Sequence, residues 1–91
     1  MPNIRQQEKR VRQAARQRVA NLRWRSTAKT LMRRLREAAD EGDSDAVAQR
    51  HTELERWLDR ASAHGALHRN TVARRKAQAA RVVAGDRNAV S

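Results

Sequence analysis

His64 and His68 stand four residues apart, a spacing that on an unbroken helix would aim two imidazoles at one metal ion. Gly65 lies between them and breaks that helix, and the chain contains no Cys. A metal site is therefore not expected. Ser26, Thr27 and Thr30 lack the His–carboxylate neighbours that would make a hydroxyl nucleophilic. No carboxylate pair sits in an apolar setting and no Gly-rich phosphate loop occurs, so neither catalysis nor a cofactor is expected. What the chain does offer is cationic nitrogen: 18 Arg and 3 Lys against 10 acids in 91 residues, a net charge of +11. Guanidinium groups pair bidentately with phosphate and stack on exposed bases. The excess of Arg over Lys is given no functional meaning of its own. The chemistry on offer is the binding of a polyanion, and nucleic acid is the leading candidate.

The positive charge is unevenly placed. Residues 1–36 hold 12 basic side chains and one acid, Glu8, for a net +11. Residues 37–66 hold 3 basic and 8 acidic side chains, net −5, and residues 67–91 hold 6 and 1, net +5. Like charges at i,i+4 each cost a helix a few tenths of a kcal/mol. A stretch with 12 bases and one acid therefore calls for an external counter-charge. The acidic middle segment is expected to neutralise part of its neighbours and face away from the polyanion.

The elements that must carry these charges are helices. One Pro, at position 2, and three Gly, at 42, 65 and 85, leave long uninterrupted stretches, and no alternating strand pattern competes. Each segment is followed by a Gly suited to a helix C-cap. The first helix is expected over 4–41, with Asn3 as N-cap and Gln6 as its capping-box partner. The second is expected over 44–64, capped by Asp43 or Ser44. The third is expected over 70–84, starting at Asn70, with a frayed tail at 86–91. All of this fits a single domain, 1–91.

Apolar residues are 38% of the chain, but Ala makes up nearly half of them, so a small core is expected. With no cysteine to staple it, so short and self-repelling a chain is marginal alone. At ~100° per residue, Trp24, Ala28, Leu31, Met32, Leu35, Ala38 and Ala39 share one arc of the first helix. Ala46, Val47, Leu54, Trp57, Leu58 and Ala61 answer on the second, where only Arg50 intrudes, with His51 at the edge. Val72, Ala79 and Val83 answer on the third, beside an alanine row at 73, 77, 80 and 84 that would permit close approach. Leu67 would plug one end. The expected fold class is all-α, a three-helix bundle. The first half of the first helix lacks an evident protein partner, because Val11, Val19 and Leu22 are read as not sharing a face. It is expected to project as a basic rod.

Two ridges flank the apolar arc of that helix. Arg5, Lys9, Arg12, Arg16, Arg23 and Arg34 form one; Arg18, Arg25, Lys29, Arg33 and Arg36 form the other. Ridges facing different ways imply contact with more than one backbone segment. A second basic constellation, Leu67-His68-Arg69-Asn70-Thr71-Val72-Ala73-Arg74-Arg75-Lys76, places cations at the start of the third helix, where free N–H groups favour an anion.

Asn3-Ile4, Asn21, Arg25-Ser26, Lys29-Thr30, Gly42-Asp43, Asp59-Arg60-Ala61 and His64-Gly65-Ala66-Leu67-His68-Arg69-Asn70, leading into Ala73-Arg74-Arg75-Lys76, carry a resemblance. In order and spacing the sequence is similar to the bacterial small-subunit ribosomal protein number twenty, over residues 3 to about 77. The stretch from Asp59 to Lys76 is the most specific piece. The resemblance implies a three-helix bundle with an extended first helix at the bottom of the small-subunit body. It also implies direct binding to 16S ribosomal RNA, through the 5′ domain and the long 3′-proximal helix, and an early role in assembly. Arg25, Ser26, Lys29, Thr30, His68, Arg69, Asn70, Arg74, Arg75 and Lys76 match motif positions and inherit the RNA-contact expectation. Trp24 and Trp57 depart from the pattern, standing where a basic and an aliphatic residue are expected.

The residues expected to touch RNA are thus Arg5, Lys9, Arg12, Arg16, Arg18, Arg23, Arg25, Ser26, Lys29, Thr30, Arg33, Arg34, His68, Arg69, Asn70, Arg74, Arg75 and Lys76. Specificity is expected to come from RNA shape, since A-form major grooves are too narrow for side chains to read. No aromatic sheet for stacking single-stranded bases is in prospect. The competing reading is a nucleoid-associated protein whose basic helix enters a DNA groove, although leucine heptads for a dimeric zipper are missing. A protein-interaction module built on the acidic helix carries less weight. No apolar run reaches the ~20 residues of a membrane span and no signal peptide is visible, so a cytoplasmic protein without a membrane partner is expected. No homo-oligomer is expected either.

Overall fold

A computed structural model describes residues 4–85, and these form three helices: α1 (Ile4–Glu41), α2 (Ser44–Ala63) and α3 (Arg69–Val83). Asn3 and the tail at 86–91 lie outside the described residues. Among the described residues there is no strand.

The two turns are set by glycine. Gly42 (φ 74°) and Gly65 (φ 75°) occupy the left-handed region, which a Cβ disfavours. At each, paired backbone bonds close the preceding helix. Asp43 N–H donates to Ala38 C=O at 3.3 Å and Gly42 N–H to Ala39 C=O at 3.2 Å. Ala66 N–H donates to Ala61 C=O at 2.9 Å and Gly65 N–H to Ser62 C=O at 3.0 Å. This is the Schellman arrangement, which satisfies carbonyls that the helix end would otherwise leave bare. Asp43 then caps α2, its Oδ1 accepting from Ala46 N–H at 3.1 Å.

The third helix starts differently from the expectation. Its N-cap is His68, not Asn70: the backbone there is extended (φ −68°, ψ 145°), and the imidazole Nδ1 accepts from Asn70 N–H at 3.1 Å. Asn70 sits one residue inside the helix. An imidazole nitrogen can do the work of a cap oxygen when the local backbone brings it over the first turn, although His is not among the favoured cap residues.

The core is aliphatic and small. Leu35, Leu58, Ala61 and Ala79 are fully buried, with Met32, Leu54 and Val82 nearly so. Ala28, Leu31, Ala38, Ala66 and Val72 complete it, and Ala39, Val47, Trp57 and Leu67 pack at its edge. On α3 the expected arc is off by part of a turn. Val82 is buried and Val83 is 42% exposed, while Ala73, Ala77, Ala80 and Ala84 all face solvent. The helix is rotated so that Thr71, Val72, Arg75, Gln78, Ala79 and Val82 face inward or sideways. A row of methyl groups offers little area to bury, so the isopropyl group of Val82 and the stems of longer side chains decide the orientation.

The bundle occupies only part of α1. From Ile4 to Val19 every residue is exposed, and burial begins at Ala20. The protein measures 60 × 20 × 20 Å, with a radius of gyration of 17.2 Å. A compact chain of this length would have about 12 Å. Residues 4–20 account for ~25 Å of helix standing clear of the other two.

Candidate nucleic-acid interface

Among the described residues, neither α2 nor α3 covers the projecting half of α1, so its helical state rests on local interactions. Gln17 Nε2 donates to Asn21 Oδ1 at 2.9 Å, but the charge pattern works against the helix. The first turn carries no acid and the last no base, the reverse of what the helix dipole favours at either end. Arg5, Lys9, Arg12, Arg16, Arg18 and Arg23 are all exposed along this rod, and Arg34 continues the first ridge beside the bundle. Farther along, Arg33 Nε lies 3.8 Å from Glu37 Oε1, so an acid just beyond residue 36 does reach back to one base of the second ridge.

The four larger apolar side chains of the rod are exposed: Ile4 (74%), Val11 (69%), Val19 (56%) and Leu22 (64%). At ~100° per residue they fall within one arc of about 80°, on the side away from the core and overlapping the second basic ridge. The expectation that they share no face is therefore corrected. Val11 and Val19 set the limits of that arc, and Ile4 and Leu22 fall inside it.

The fold unites two basic motifs that are distant in sequence. Arg25, Ser26 and Lys29 from α1 face His68 and Arg75 from the α2–α3 turn and α3 across a groove of about 510 Å³. Leu22, Ala28, Ala66, Leu67 and Thr71 complete its lining, and no acid is among them. This juxtaposition depends on Gly65, which reverses the chain, and on Ala66 and Leu67, which fix the turn against the core. Because His68 Nδ1 is occupied by the Asn70 N–H, the neutral imidazole carries its proton on Nε2, leaving a donor. Thr30 is half-buried and its hydroxyl donates to Ser26 C=O at 3.1 Å, so it serves its own helix while keeping acceptor capacity.

Other expected residues lie outside the groove. Arg69, Asn70 and Arg74 are exposed on the first turns of α3. Lys76 turns to α2, where its Nζ meets Asp59 Oδ1 at 2.6 Å. The acidic residues of α2 are largely engaged with their own neighbours: Glu53 accepts from Arg50 at 3.2 Å, and Glu55 lies 2.8 Å from His51 Nε2. Among the described residues no group of three or more His, Cys, Asp and Glu is placed to hold a metal ion. No described helix is long and apolar enough to cross a membrane.

Sequence reasoning gave the two tryptophans no role at the surface. Trp57 Nε1 donates to Trp24 C=O at 2.9 Å, tying α2 to α1 where the rod leaves the bundle. The indole rings lie 4.3 Å apart between centroids, tilted by 36°, and His64 stacks on Trp24 at 4.9 Å. Beside them a second groove, of about 600 Å³, runs along α1 from Ala15 to Trp24.

Fold and surface together define a class: a small all-α protein whose long first helix carries most of the positive charge beyond a three-helix core. A family model described as Ribosomal protein S20 matches residues 2–84. Small ribosomal subunit protein bS20 of Thermomicrobium roseum is 38% identical over 78 residues, covering 86% of this chain and 79% of that protein. The protein of the same name from Mycobacterium sp. (strain JLS) is 41% identical over 76 residues, covering 84% and 88%. That of Kocuria rhizophila is 38% identical over 84 residues, covering 92% and 98%. The chain belongs to the Ribosomal protein S20 family, a family of ribosomal structural proteins and not of enzymes.

Proposed function

We propose that the chain acts as a single domain that binds 16S ribosomal RNA directly within the small ribosomal subunit of the cytoplasm and stabilises its fold during assembly. The observation that carries this reading is the pair of basic surfaces on one three-helix scaffold. The rod of α1 presents cations along two ridges, and the groove between α1 and α3 gathers Arg25, Ser26, Lys29, His68 and Arg75 on a surface without acids. Each Arg or Lys that meets a phosphate releases condensed counterions, which drives association and makes it salt-dependent. Surfaces that face different ways suit a place where RNA helices crowd together and their backbones repel.

In this reading the 5′ domain and the long 3′-proximal helix are the segments bridged. Arg5, Lys9, Arg12, Arg16, Arg18, Arg23, Arg33 and Arg34 grip backbone along α1. Arg25, Ser26, Lys29, Thr30, His68 and Arg75 act at or beside the groove. Arg69, Asn70, Arg74 and Lys76 extend the contact over α3. The acidic outer side of α2 stays in solvent, and the protein acts as one copy.

Competition at fixed salt tests the reading. Labelled 16S ribosomal RNA bound to the full chain is challenged with unlabelled 16S RNA and with duplex DNA of equal nucleotide concentration. The RNA is expected to displace the label and the DNA to displace it poorly. Efficient displacement by duplex DNA, with the protein absent from sedimented small subunits, would establish a DNA-binding role instead. Footprinting checks the bridging: protection is expected in two separated RNA segments, and protection of one continuous strand would contradict it.

A further inference from the structure

The groove beside the two tryptophans is separate from the basic groove and is built from different chemistry. It is lined by the two indoles, Trp24 and Trp57, by the aliphatic side chains of Ala15, Val19 and Ala20, and by Arg16 and Arg23. No acid lines it. The volume of about 600 Å³ falls within the ~300–1,000 Å³ typical of small-molecule sites. Trp24 has ring neighbours in Trp57, tilted by 36°, and His64, stacked, whereas among the described residues the ring neighbour of Trp57 is Trp24. The indole N–H of Trp57 is satisfied by Trp24 C=O, which fixes the ring in place. Trp57, half-buried and held by this bond, is a stacking surface that itself costs little further ordering, while the rest of the groove at residues 15–20 orders with the rod on binding.

The two arginines say what belongs there. Arg16 and Arg23 are both members of the first basic ridge, so a phosphate backbone running along that ridge passes the mouth of the groove. A nucleotide on such a backbone combines an anionic phosphate with a flat, mostly apolar base, and the groove offers a cation for one and an aromatic wall for the other. Resting on the reading above that RNA is the partner, we infer that this groove takes one unpaired nucleobase of the bound RNA, stacked on Trp57, with flanking phosphates on Arg16 and Arg23. Stacking of this kind is tolerant of base identity, because every base has a π-face. It adds to the shape-based grip of the ridges a contact that a fully paired RNA helix cannot make.

The test uses the full chain, 16S ribosomal RNA and two variants. Ala20→Leu adds bulk inside the groove, one helical turn before Trp24, and leaves the aliphatic core and both indoles in the sequence. Trp57→Leu keeps apolar bulk and removes the ring. Helicity and thermal midpoint are measured on both. In the wild type, indole emission is expected to be quenched as the RNA saturates the protein. In Ala20→Leu the affinity is expected to fall roughly tenfold, the scale of one base stack, and the quenching to disappear while helicity is unchanged. Trp57→Leu is expected to show the same fall in affinity. Affinities within twofold of wild type in Ala20→Leu, together with unquenched emission in the wild type, would overturn the inference and leave RNA binding itself standing. A wild type that fails to bind 16S RNA at all would overturn both.

Discussion

The two halves of α1 are one continuous helix with opposite sources of order. From Ala28 to Ala38 the helix is held by Leu31, Met32 and Leu35 packed against Leu54, Leu58 and Val82. From Ile4 to Val19 it has basic side chains, an exposed apolar arc and a dipole that its own charges oppose. Most helical stability in proteins comes from tertiary packing of an amphipathic face, and this stretch, exposed throughout, has none. The comparison teaches that the packed half is specified by the protein and the projecting half by what it binds. Phosphates near its N-terminal portion would supply the negative charge that the first turn lacks. Folding of the rod and binding of RNA are then one event, with the ordering entropy drawn from the interaction energy.

This contrast can be broken from either side. The largest effect is expected in the packed half: Leu58→Ala removes a fully buried side chain and is expected to cost about 2–5 kcal/mol, a large share of the stability of so small a core. Thermal unfolding followed by far-ultraviolet circular dichroism would register it as a lowered or abolished transition. In the projecting half, the triple change R5Q/K9Q/R12Q is expected to leave the thermal midpoint of the free chain in place. Its consequence lies in binding: the slope of log K against log salt is expected to become shallower by about 2–3, since each phosphate left without its cation removes ~0.7–0.9 from the slope. An unchanged slope would remove those three residues from the interface. Gly65→Ala is expected to cost about 1–2 kcal/mol, because a Cβ is strained at φ 75° although no atom lies within 4 Å of it. That variant sharpens the comparison by loosening the basic groove and leaving the rod untouched, so its RNA affinity isolates the contribution of the groove.

Much of the packed half was legible in the sequence. Large aliphatic residues at helical spacing defined the inner arcs of α1 and α2, since burying Leu31, Leu35, Leu54 or Leu58 outweighs any other local preference. Gly42 and Gly65 marked the turns because they alone accept the left-handed backbone there. On α3 the signal was weaker: with Ala at so many positions, the helix could turn through part of a revolution at little cost, and Val82 was buried in place of Val83. The His68 cap was hidden because an imidazole caps only when a particular backbone geometry offers it. The charge of the interface was visible from composition, but its geometry was not. That Arg25 and Lys29 face His68 and Arg75 follows from the reversal at Gly65 and the crossing of the helices. The Trp-lined groove follows from a single cross-helix hydrogen bond, Trp57 to Trp24, that no spacing rule encodes.

The claim that the rod is ordered by its partner is tested most directly by amide hydrogen exchange along α1, in the free chain and in its complex with 16S ribosomal RNA. Residues 28–38 are expected to be protected in both states. Residues 4–20 are expected to exchange almost freely without RNA and to become protected on binding. Equal and strong protection of residues 4–20 in the free protein, or no gain of protection in the complex, would contradict it.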